Sequence, residues 1–103
     1  MIKFERYTHI NDLLDCYSSR LNRDDIKILL NQGIDNMEDA RILSKFAWEV
    51  AGLINEDEEN NIEVFGSTDN TEMIPDLSYE ITMYMKKTGY YSVWEEISDS
   101  GIE

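Results

Sequence analysis

The stretch from 36 to 55 constrains this chain more than any other. Ala40, Leu43, Phe46, Ala47, Val50, Ala51 and Ile54 recur there at the three- and four-residue steps of one α-helical face. Glu38, Arg41, Lys45, Glu49 and Glu56 occupy the opposite face, where Lys45 and Glu49 stand one turn apart and can pair. Asn36 is a good N-cap, and Glu38 and Asp39 lie in the first turn, where the helix dipole favours negative charge. A helix of about five turns has to bury one face, so the rest of the chain is expected to pack around it as a spine. Phe46 and Trp48 read as core and near-core residues rather than as a cofactor box.

Shorter periodic segments precede it. Ile10, Leu13, Leu14, Tyr17 and Leu21 form a stripe that predicts a helix over about 8–21, capped by Thr8, with Asp12, Asp15, Ser19 and Arg20 facing water. Asn22 is expected to cap a second helix whose apolar face is Ile26, Leu29 and Leu30. Gly33 should end it in a left-handed turn, with Ile34 folding back on the last turn. Helix, glycine turn and helix is also the outline of a DNA reader. The second helix would then present Met37, Glu38 and Asp39 where basic or amide groups are required, so the turn is read as structural.

The second half is harder to read. Residues 55–61 are expected to form a solvated acidic loop, and their carboxylates lack the glycine and glutamate spacing of an EF-hand. Residues 62–65 alternate as a short strand would. In 75–89, Tyr79, Ile81, Met83 and Met85 alternate, which suits a hairpin turning at Lys87–Gly89, yet Leu77, Ile81, Tyr84 and Met85 sit at helical spacing. End signals favour the helix: Asp76 and Glu80 at its front, Lys86 and Lys87 at its back, Gly89 just beyond. Ser92 and Glu95 read as the capping box of a final short helix carrying Val93, Trp94 and Ile97. The expected fold is all-α, four to five short helices around a central helix 36–55. An α+β fold with a small hairpin or strand in 62–97 is the alternative. A length of 103 residues fits one domain, 1–103.

Several function classes are disfavoured by composition. Cys16 and His9 are the only residues of their kinds, which leaves no internal disulfide and no zinc site built on paired histidines or four cysteines. Neither metal nor cofactor is expected. Seven positions apart, the two cannot act as nucleophile and base, so Cys16 reads as a half-buried filler and His9 as a surface residue. The five glycines form no phosphate-cradling loop, and the chain is not expected to be an enzyme. No leader-like apolar run follows Lys3 and Arg6, and the longest aliphatic run is 28–30, so a cytoplasmic location is expected.

Charge carries the functional reading. Net charge is −13, which disfavours direct binding to nucleic acid or to anionic membranes and favours a basic partner. Residues 1–54 hold nine acids against seven bases, a balanced scaffold. Residues 55–103 hold thirteen acids against Lys86 and Lys87. Concentration of this kind is self-repulsive and exceeds what solubility needs. Tyr and Trp beside carboxylates suit an interface. The candidate partner-binding residues are therefore Glu56, Asp57, Glu58, Glu59, Glu63, Asp69, Glu72, Asp76, Glu80, Glu95 and Glu96, with Tyr90 and Tyr91 as the exposed aromatics. Small, acidic and without cofactor, the chain has the character of an immunity protein that neutralises a basic nuclease toxin. A phage-type DNA mimic directed at a defence nuclease and a helical adaptor without inhibitory role are the alternatives.

Overall fold

The computed structural model describes residues 10–63 and 70–100. Within them lie five helices: α1 (Ile10–Arg20), α2 (Asp24–Gln32), α3 (Met37–Glu59), α4 (Met73–Thr88) and α5 (Tyr91–Ser100), with a single 3-10 turn (Asn70–Glu72) leading into α4. No strand occurs among the described residues. The α+β alternative is thereby corrected, because the segment expected to alternate as a hairpin is helical through Thr88 and again from Tyr91. The expected cap Thr8 and the end of the expected strand, 64–65, fall outside the described residues.

α3 is the spine, packed against each of the other four helices. Asn36 caps it as its sequence demands, its Oδ1 accepting the Asp39 N–H at 2.8 Å. Leu43, Phe46, Ala47, Val50 and Ile54 are buried on its inner face, and Leu13, Leu14 and Tyr17 of α1 join them. From α2 come Ile26, Leu29 and Leu30, and from α4 and α5 come Leu77, Ile81, Met85, Val93 and Ile97. The same apolar side chains thus supply both helical periodicity and core. Lys45 and Glu49 are both exposed and form no ion pair, so the expected pairing is absent.

Helix ends differ from expectation where a polar residue had two possible jobs. Asn22 does not cap α2; it takes a left-handed conformation (φ 56) just past α1, and α2 begins without a side-chain cap. Gly33 has a positive φ (87), but its ψ of 168 lies outside the left-handed helical region expected for it, and its N–H reaches the Leu29 carbonyl at 2.8 Å. α5 starts at Tyr91, which places Ser92 inside the first turn rather than at the cap. Gly89 ends α4 in the left-handed region as expected (φ 89, ψ 10), its N–H bonded to the Met85 and Lys86 carbonyls.

Three contacts fix α4 and α5 along the spine. The buried Ile34 N–H, just before α3, donates to Tyr84 Oη of α4 at 3.0 Å. Trp94 of α5 stacks on Trp48 of α3, with centroids 6.1 Å apart, and donates its Nε1–H to Thr82 Oγ1 of α4 at 2.8 Å. Ile74 at the start of α4 lies beside Ala51 of α3, so α4 runs antiparallel to the spine and its end returns to the spine's beginning. Burial raises the Tyr84 phenol above its ordinary range, the hydrogen bond from Ile34 opposing. Tyr84→Phe strands the Ile34 N–H and is expected to lower unfolding free energy by about 1–2 kcal/mol in urea titration.

Gly52 stands mid-helix in α3, exposed, with open space where a Cβ would be. Nothing among the described residues requires glycine there. Gly52→Ala is expected to raise stability by about 1 kcal/mol, read as a shift in the denaturant midpoint.

Candidate interaction surface

The spine does not stop at Asn55. It continues through Glu59, so most of the segment expected as an acidic loop is helix. Its last turn holds Glu56, Asp57, Glu58 and Glu59 and no basic residue, at the end where the helix dipole is itself negative. Side chains of this sign destabilise a helix C-terminus. What holds the turn is Asp57, which lies on the buried face and is only 2% exposed. Tyr17 Oη donates to Asp57 Oδ2 at 2.5 Å. Arg20 Nη1 donates to the same oxygen at 2.6 Å, and Arg20 Nη2 to Oδ1 at 3.4 Å.

The Arg20 guanidinium holds the Asp57 carboxyl below the usual carboxylate range, with the Tyr17 hydrogen bond assisting and burial opposing. Burial, then the adjoining carboxylate, pushes the Tyr17 phenol far above its ordinary value. Arg20 also stands 4.9 Å from the centroid of the Tyr17 ring. Asp57 is therefore an internal tie between α1 and α3, and it leaves the set of surface acids to which its sequence neighbours assign it.

Its neighbours remain outside. Glu56, Glu59 and Glu63 are exposed, and Glu58 is half-buried. Because α4 is antiparallel to α3, the 3-10 turn and the start of α4 share this end of the molecule, and Glu72 and Asp76 there are exposed as well. None of Glu56, Glu59, Glu63, Glu72 and Asp76 has an ion-pair partner among the described residues. Arg20 is committed to Asp57 and Arg23 to Asp25, at 3.0 Å. Glu80 is half-buried further along α4. Glu95 and Glu96 are exposed on α5 near the level of the tryptophan pair, and Asp69 falls outside the described residues.

Tyr90 and Tyr91 are not at the acidic end. Both are half-buried. Tyr90 Oη donates to the Asp35 carbonyl at 3.3 Å, ahead of α3, and Lys86 Nζ stands 5.1 Å from the centroid of the Tyr91 ring. Some 30 Å of helix separates that end from Asp57. Among the described residues the exposed aromatic is Tyr79, 64% accessible, with Met83 46% accessible one turn on and Asp76 one turn before. The signal was present: Leu77, Ile81, Tyr84 and Met85 claim the inner face of α4, which leaves Tyr79 and Met83 outward. Cys16, expected half-buried, is exposed on α1.

A cleft of about 80 Å³ opens between α3, α4 and α5, lined by Ala47, Trp48, Ala51, Ile74, Leu77, Ser78 and Trp94. Small residues on α3 form one wall and the tryptophan pair another. No set of three His, Cys, Asp or Glu side chains is placed to hold a metal ion among the described residues. No helix among them is long and apolar enough to cross a membrane. Comparison with protein-family models, curated proteins and solved structures finds no match to this chain.

Proposed function

We propose that this chain is a small acidic inhibitor that binds and neutralises a basic protein through the acidic end of its spine. The partner is a nuclease toxin with a positive nucleic-acid cleft, which makes the chain an immunity protein. One observation carries the reading. Exposed, and without an ion-pair partner among the described residues, Glu56 and Glu59 stand at the negative end of the α3 dipole, where they cost stability. A cationic surface laid over them removes that cost, and steers the encounter as well. Glu63, Glu72 and Asp76 extend the patch, Tyr79 supplies an aromatic contact beside it, and the reading needs neither catalytic residue nor cofactor.

The principal extents of 37 × 27 × 23 Å favour one compact patch over the elongated phosphate-like array of a DNA mimic. An adaptor without inhibitory role would keep its partner after the charges are removed. The test is affinity capture with the wild-type chain and with a variant carrying Gln at 56, 59, 63 and 72 and Asn at 76. A basic protein retained by the wild type, released by salt, lost by the variant, and inhibited as a nuclease by the wild type is the expected result. Equal retention by both chains, or at low and high salt alike, overturns the proposal.

A further inference from the structure

The cleft and Gly52 adjoin on α3, and neither is explained by the packing of the chain itself. Helical steps place Gly52, Glu56 and Glu59 along one outward stripe, with Trp48 between that stripe and the cleft, while Glu49 turns toward Arg23 of α2. Gly52 gives up helix stability without any steric need among the described residues. A glycine in an open helical position allows another backbone to approach the helix closely. The cleft beside it is apolar and smaller than the ~150 Å³ that accommodates benzene, so it matches an aliphatic side chain better than a ring.

Resting on the proposed binding of a basic protein, we infer that the partner docks a segment across Gly52, with an aliphatic side chain in the Trp48–Trp94 cleft and flanking lysines or arginines on Glu56 and Glu59. Charge complementarity selects this occupant. An apolar side chain alone would gain nothing from the stripe, and an acidic segment would be repelled by it. The division of labour follows: the acids set approach and orientation, and burial of the aliphatic side chain sets residence.

Trp48 and Trp94 are the only tryptophans of the chain, so its intrinsic fluorescence reports on the cleft. The probes are a lysine-rich synthetic peptide with one central leucine, its serine analogue, and a glutamate-flanked leucine peptide. The leucine–lysine peptide is expected to shift the tryptophan emission and to bind about tenfold more tightly than the serine analogue, while the glutamate-flanked peptide fails to bind. Gly52→Leu, which keeps a helix-forming residue on an exposed face, is expected to abolish that tenfold preference while circular dichroism stays unchanged. If both lysine peptides bind equally, in a salt-sensitive manner and without change in emission, the cleft assignment falls and the acidic-end reading stands. If the glutamate-flanked peptide binds as well as the lysine one, or if no lysine peptide binds at low salt, both are overturned.

Discussion

Arg20→Ala is expected to cost about 3–5 kcal/mol of unfolding free energy at neutral pH, the most of any change at the Tyr17–Arg20–Asp57 tie. Asp57→Ala should cost less, about 2–3 kcal/mol. The inequality follows from exposure. The Asp57 side chain is 3% accessible and that of Arg20 is 43%, so removing the arginine strands a charge away from water, whereas removing the aspartate leaves a guanidinium that water can solvate. Tyr17→Phe removes one hydrogen bond and leaves the ion pair, a loss of about 1 kcal/mol. Chemical denaturation of the three variants checks the order, and Asp57→Ala proving costlier than Arg20→Ala would refute the account.

Acid dependence provides an independent sign. The folded-state pKa of Asp57 is depressed, so its contribution is fully present above the unfolded value of about 4 and is lost as pH falls through the folded value. The informative quantity is the difference between wild type and Asp57→Asn, in which effects of pH elsewhere on the molecule cancel. The difference should shrink below about pH 4. In Arg20→Ala the logic inverts, because a buried carboxylate without its cation favours the protonated form. That variant should regain stability relative to wild type as pH falls.

Replacing Glu56 and Glu59 by glutamine is expected to act in opposite directions on folding and on binding. Each glutamate opposes the dipole at the end of α3, so the pair of changes should raise stability by about 1 kcal/mol in total at low salt. The same changes remove the centre of the proposed cationic contact, and the association rate with the basic partner should fall at least about tenfold at low ionic strength. Thermal unfolding reads the first effect and surface plasmon resonance the second. A variant that gains stability and keeps its association rate would show that these acids are not at the interface.

Local signals carried most of the fold. The α3 stripe, its Asn36 cap and the Gly89 stop on α4 each lie within a few residues of what they determine, and each is found where the spacing puts it. The role of Asp57 was obscured by its company. It sits in a run of acids, and the groups that bury it, Tyr17 and Arg20, are 40 and 37 positions away. A partial clue existed, since position 57 continues the series Val50 and Ile54 along the inner face, and a polar residue at a buried position calls for a partner. Tyr90 and Tyr91 are half-buried rather than exposed for a related reason. They share the acidic half of the sequence with Glu56 and Glu59, whereas the reversal at Gly89 sends them to the opposite end of the molecule.

The tie between Tyr17, Arg20 and Asp57 works as a latch on a spring that would otherwise uncoil. Three of the four acids in the final turn of α3 repel one another and the helix end, and only the fourth is fastened to another helix. Deleting α1 would therefore do more than thin the core. It would unwind the spine from its far tip and scatter the charges that the folded chain displays as a group.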